Sequence, residues 1–239
     1  MISLTAFKKG FTLSWRIGLL VLIVIGVLLR LGFWQLQRAD EKKQMMLSYQ
    51  HHLVEAPVLF NSNSKKPVQY QTIRIKGQWL PHVLLLDNQH YQHRFGYHVI
   101  SPLLLADGQV ILIDRGWLLG DATRRVLPII ESSPKPITLL GSVYYPSINP
   151  WQTGSLIEKK QGNLVVIEFM NLKLISQFLQ KPVYPFIIRL DQHEEGGYVR
   201  DWLIVSMPPE RHYAYAFQWF GIALIVFIIF IVLSIKKKL

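Results

Sequence analysis

Six side chains near the two ends of the sequence could share one piece of chemistry. His212, Tyr215 and Trp219 recur at i, i+3 and i+7, and Arg30, Trp34 and Arg38 at i, i+4 and i+8. On helices, each set forms a stripe along one face. A neutral imidazole can ligate a metal, aromatic rings pack on flat apolar surfaces, and guanidinium groups pair with carboxylates. Together the six suit a flat, apolar, dianionic ligand such as a haem, with His212 as ligand to the iron. The same residue types also line ordinary membrane boundaries, where Trp and Tyr form belts and arginines snorkel to the headgroups. Spacing alone leaves both possibilities open.

Other reactive side chains are less organised. His90, His93 and His98 cluster, as do His51 and His52, but without the thiolates or carboxylate pair that usually complete a metal site, so they read as solvated histidines. The sequence holds no cysteine, which excludes disulfides, thiolate metal sites and a cysteine nucleophile. Ser142, Ser147 and Ser155 lack a nucleophile-elbow context, and no glycine loop is shaped for phosphate. The expectation is therefore a protein that is not an enzyme. Asp191, His193, Glu194 and Glu195 before Gly196-Gly197 read as a surface turn. Arg115-Gly116-Trp117 ends a strand at a glycine that allows close backbone approach, with Trp117 either an interface anchor or a core residue. Lys and Arg number 26 against 15 Asp and Glu, a net charge of +11. No single element interleaves that charge with aromatics, so the partner it suits is anionic membrane lipid and not nucleic acid.

The elements that must position these residues begin with two apolar segments. Half of the 239 residues are apolar and only 17% are charged, below the quarter typical of soluble domains. Residues 213–235 carry no charge, and a helix of that length measures about 34 Å, enough for a ~30 Å hydrocarbon core. Lys236, Lys237 and Lys238 follow. Residues 17–36 form a second span, interrupted by Arg30 and preceded by Lys8, Lys9 and Arg16. The bulky run Arg30-Leu31-Gly32-Phe33-Trp34-Gln35-Leu36 suits a retained anchor better than the small residues of a cleavage site. Basic flanks place the tails, 1–16 and 236–239, in the cytoplasm and the domain 37–212 outside it. The short N-terminal tail has no room for a transit peptide, which favours a bacterial plasma membrane.

The middle of the chain reads as strands. Thr72 to Gly77 alternates with period two, and Val83 to Leu86 ends at the turn pair Asp87-Asn88. Residues 97–105 and 109–114 flank Ala106-Asp107-Gly108, a hairpin turn. Residues 137–145, 164–169, 184–190 and 198–205 are further strands, and 171–180 a short amphipathic helix. Pro128, Pro134 and Pro136 bracket a loop, and the polar run 38–53 continues the first helix beyond the bilayer. The expected fold is an α+β membrane protein: two transmembrane helices flanking one mostly antiparallel β extracytoplasmic domain with a short helix.

Three stretches, in order, resemble motifs of the Surfeit locus protein 1 family. They are Leu31-Gly32-Phe33-Trp34-Gln35-Leu36-Gln37-Arg38; Gly96-Tyr97-His98-Val99 with Pro102-Leu103 and the hairpin up to Arg115-Gly116-Trp117; and Pro209-Glu210-Arg211-His212 followed by Tyr215-Ala216-Phe217-Gln218-Trp219-Phe220. Asp114 stands where that family often has Asn, and Ala214 where Gly is common. The resemblance implies an assembly factor for haem–copper (cytochrome c) oxidase. It would handle haem a transiently and deliver it to the catalytic subunit, between that subunit and the haem a synthesis machinery. His212 and Trp219 match the family's haem-linked positions. The competing expectations are a membrane-tethered scaffold or sensor domain with no haem site, and a tethered hydrolase.

Overall fold

The structure, a computed structural model, describes residues 15–62, 64–130, 136–147 and 155–234. The basic tail residues Lys8, Lys9 and Lys236 to Lys238, and Pro134 of the expected loop, lie outside the described residues. In chain order the elements are α1 (Trp15–Val54), β1 (Val58–Leu59), β2 (Thr72–Trp79), β3 (Val83–Tyr91), β4 (Arg94–Leu104), β5 (Val110–Leu119), β6 (Pro136–Tyr144), β7 (Ile157–Gln161), β8 (Leu164–Ile167), α2 (Leu172–Leu179), β9 (Val183–Leu190) and α3 (Pro209–Ser234). They form two compact units, residues 1–47 with 203–239, and residues 48–202.

The first unit is a helix pair. Both α1 and α3 are long and apolar enough to cross a membrane. Helix α1 runs 40 residues without a break, because the polar stretch beyond residue 36 is rich in Gln, Lys, Glu, Met and Leu, all good helix formers. Its buried or half-buried positions include Gly18, Val21, Ile25, Leu28, Gly32, Gln35 and Ala39, alternating steps of three and four. Helix α3 answers with Pro209, His212, Ala216, Trp219, Ala223, Val226 and Phe230. That period of 3.5 is the one that keeps a seam facing a partner helix. Small residues on the seam let the backbones approach. Gly32 sits so close to the Phe220 ring that a side chain there would collide with it, and the Phe33 and Phe220 rings meet edge to face at 5.3 Å.

The second unit holds a nine-stranded mixed sheet in the order β1-β2-β6-β9-β5-β4-β3-β8-β7, with a further β2–β4 pairing. That extra pairing, Gln78 with Leu104 and Trp79 with Leu103, closes β2, β6, β9, β5 and β4 into a ring. The ring is a five-stranded barrel of the OB type. Its interior is filled from all five strands, by Ile73 and Ile75, Leu103, Ile111 and Ile113, Leu139, and Phe186 and Ile188. Strand β5 sends Ile111 and Ile113 into this core and Val110 and Leu112 to the opposite face, where α2 covers them through Ile175. Strands β3, β8 and β7 continue from β4 as an open wing. Asn171 caps α2 by accepting hydrogen bonds from the Lys173 and Leu174 amides.

The sheet is mixed, with β1–β2, β3–β8 and β5–β9 parallel, but the remaining pairings are antiparallel, so the expected antiparallel majority stands. Other expectations change. Asp87-Asn88 is a bulge and not a turn. Asn88 takes φ 57°, the register slips between Leu86 and Gln89, and the strand goes on to a reversal at Gln92 and His93, both with positive φ. Residues 198–205 form no strand; Val199 alone bridges Trp117, through backbone hydrogen bonds of 2.7 and 3.0 Å. Strand β7 escaped notice because Glu158, Lys159 and Lys160 break its apolar pattern, as charge often does on an edge strand.

Candidate functional site

His212 lies in the first turn of α3, after Pro209, whose fixed φ and missing N–H suit a helix start. The His212 side of α3 is turned onto α1, so the imidazole is buried at 8% exposure in an otherwise apolar seam. Its Nδ1 is 2.7 Å from Gln35 Oε1. An amide oxygen only accepts, so Nδ1 carries the proton and the Nε2 lone pair stays free. Nε2 is buried and has no hydrogen-bond partner among the described residues. Metal-ligating histidines are commonly oriented the same way, with one ring nitrogen fixed by an acceptor.

The other five residues are placed less uniformly. Trp219 is half-buried, two turns along α3 from His212, while Tyr215 is 43% exposed at the margin of the seam. Arg30, Trp34 and Arg38 lie on an exposed face of α1. At ~100° per residue, that stripe is about a third of a turn round from Gln35. The Arg38 guanidinium stacks over Trp34 at 5.7 Å and pairs with Glu41 at 2.7 Å. The structure thus joins Arg38 to Trp34 and His212 to Gln35. The residue missed by the sequence reading is Gln35; its signal was an uncharged amide inside an apolar span, three residues after Gly32.

The remaining histidines take separate roles. His98 stands on β4 with Nδ1 3.0 Å from both oxygens of Asp114 on β5, away from His90 and His93. Asp114 is the carboxylate missing from the local sequence, and the sheet supplies it. Its Oδ1 also accepts the Gly116 amide hydrogen, so the pair braces the register shift at Arg115-Gly116-Trp117 inside β5, a strand that runs on to Leu119. There Gly116 takes φ 105°, and a Cβ would sit 2.5 Å from the Val199 carbonyl. Arg115 reaches the Gly196 carbonyl through Nε and stacks over Tyr198. His51, His52 and Glu55 gather at the end of α1 with ligating atoms within 4.8 Å of one another. His52 pairs with Glu55 at 2.5 Å, and that hydrogen bond holds the carboxyl below its ordinary pKa.

The comparison with known proteins covers both halves of this site. The SURF1 family model matches residues 22–224. A SURF1-like protein of Rickettsia felis is 26% identical over 229 residues, covering 91% of this chain and 96% of the relative. One from Rickettsia prowazekii is 25% identical over 231 residues, 91% and 89% of the two chains. A SURF1-like protein of Dictyostelium discoideum is 32% identical over 122 residues, 46% of this chain. The matched region runs from the first apolar helix through the barrel to the second, and on that ground the chain belongs to the SURF1 family, which is linked to cytochrome oxidase assembly.

Proposed function

We propose that this protein receives haem a and passes it to the catalytic subunit of a haem–copper oxidase, with His212 as the iron ligand. In this reading it stands in a bacterial plasma membrane, both tails cytoplasmic and the barrel domain outside. It takes haem a from the machinery that makes it, and it transfers a ligand without catalysing a reaction. The observation that carries the proposal is the buried Nε2 of His212, which has no partner among the described residues while Nδ1 is held by Gln35.

A bound haem would supply an iron that accepts a neutral imidazole, and His212 is the residue that would hold it. The chain's own part is to hold an imidazole in one tautomer at the mouth of an apolar pair. Gln35 fixes the proton on Nδ1 and orients the ring. Trp219, further along the same face, offers a flat apolar wall. Because Nε2 is now covered by the helix seam, ligand entry requires α1 and α3 to part locally at Gln35. Arg30 and Arg38, on the outer face of α1, are assigned the weaker part of meeting carboxylates of the ligand.

The test is the absorption spectrum of the full chain purified from cells that make haem a. Wild type is expected to carry a Soret band, His212→Ala to lose most of it, and Gln35→Leu to retain some with a shifted maximum. The hypothesis is falsified if the His212→Ala protein carries as much haem a as wild type. In that case the Gln35–His212 bond is a polar lock between two anchors, and the protein is a tethered scaffold.

A further inference from the structure

On the far side of the barrel core, within the second unit, Arg189 of β9 has no use in the reading above. Its guanidinium carbon sits over the Tyr144 ring, 3.7 Å from the centroid, and 5.3 Å from the centroid of the Trp202 ring. Two of its nitrogens, Nε and Nη1, are buried and have no hydrogen-bond partner, and Arg189 forms no ion pair among the described residues. Leaving donors of a buried cation unmatched costs more than for neutral groups. Arg189 also lines a cavity of about 220 Å³ with Tyr49, Leu53, Thr72, Ser142, Asp191, His193 and Trp202.

The position is held from several directions. Ser142 and Arg189 are cross-strand partners, and the close approach of the Arg189 carbonyl to Gly141 fixes the strand pair. Trp202 is backed by the His98 ring at 5.8 Å, itself tied to Asp114. Arg200 bonds the carbonyls of Asp191 and Glu194, which ties down the loop at the cavity edge. A clamped guanidinium with unmatched, covered donors, beside a preformed space, is the makings of an oxyanion site once the groups over those donors shift.

Size and charge narrow the ligand. The cavity is smaller than the ~300–1,000 Å³ of drug-sized pockets, so it takes a few heavy atoms. Asp191 shares the wall and repels a second negative charge. Leu53, Tyr49 and Trp202 offer an apolar side for a short carbon tail. We propose that this cavity binds a small monocarboxylate, with Arg189 as its cationic anchor.

The experiment titrates the full chain in detergent with sodium propionate, inorganic phosphate or sodium chloride at constant ionic strength, and reads the thermal midpoint. Propionate should raise it saturably, phosphate should need at least tenfold higher concentration, and chloride should do nothing. Arg189→Gln should abolish the propionate response, and Arg189→Lys should weaken it at least tenfold. Asp191→Asn keeps an oxygen for the His193 amide and should tighten both anions, phosphate more, a gain that misfolding cannot mimic. No saturable response to propionate in wild type, an unchanged response in Arg189→Gln, or phosphate binding more tightly than propionate would each overturn the assignment. None of these outcomes depends on haem content.

Discussion

Single residues here act by fixing backbone where no regular element does. Asp121 accepts hydrogen bonds from the Thr123 hydroxyl and from the amides of Thr123, Arg125 and Val126. These bonds, led by the Thr123 hydroxyl, lower its pKa from 3.8 to about 2. The loop they organise carries Arg124 to Asp87 and delivers Leu127 to the core. A depressed carboxylate pKa contributes stability that is present above the unfolded value and lost as pH falls through the folded one. Protection of the Arg125 and Val126 amides, taken relative to their intrinsic exchange rates, should therefore fall between about pH 4 and pH 2, and Asp121→Asn should remove that change in protection. Gly116 acts instead inside β5, where the register with β4 shifts. An alanine there must bear positive φ and press on the Val199 carbonyl, at a cost of about 2–4 kcal/mol. Thermal unfolding of Gly116→Ala should show a clearly lowered midpoint, with Trp117 emission altered by loss of the Val199 bridge.

Among the elements, the helix pair has the sharper sequence logic. Gly18, Ile25, Gly32 and Ala39 recur every seven residues on α1, and Ala216, Ala223 and Phe230 on α3. A strict seven-residue repeat holds one face toward a partner along the whole length. The Phe220 ring lies over Gly32, so Gly32→Leu would force the ring out and overpack the seam by about 1–3 kcal/mol. The His212–Gln35 bond, three residues from Gly32 on α1, should loosen with it. Limited proteolysis in detergent should find α3 cut faster in Gly32→Leu than in wild type. Equal protection would show that this contact does not hold the pair. The same variant should leave the barrel's circular dichroism unchanged, because β5 and β9 draw their packing from other clusters.

At the scale of the whole molecule, the two apolar helices both belong to one unit and the barrel to the other. A chain that enters and leaves its sheet domain through one antiparallel helix pair must have both ends on the same side of a membrane it crosses twice. Reporter fusions at the two ends should therefore agree with each other. A fusion in the Gly162 turn between β7 and β8, on an edge hairpin, should report the opposite side. A signal of the same side from all three sites would show that one helix does not cross. The family match over residues 22–224 spans helix, barrel and helix alike.

Much of this was legible in the residues themselves. The two long apolar helices follow from runs of mostly apolar residues, broken by charge in the first only at Arg30. Strand β2 follows from period-two alternation, the β4–β5 hairpin from Ala106-Asp107-Gly108, and α2 from Asn171 and an amphipathic face. These are local properties, set by sterics and transfer energies within a dozen residues. His212 also stood out, as an imidazole at the edge of an apolar run. What only the tertiary structure decided depends on residues far apart in sequence. Asp87-Asn88 became a bulge because Asp87 is spent on Arg124, 37 residues away. The ring closed because β2 meets β4 across two residues, and its parallel β5–β9 pair needed a long excursion through β6 to α2. Arg30, Trp34 and Arg38 share a stripe, as their spacing required, yet the direction of that stripe was settled by Gly32, Gln35 and Ala39, whose small or uncharged side chains let α3 approach. Periodicity tells which residues share a face, and packing alone decides what that face meets.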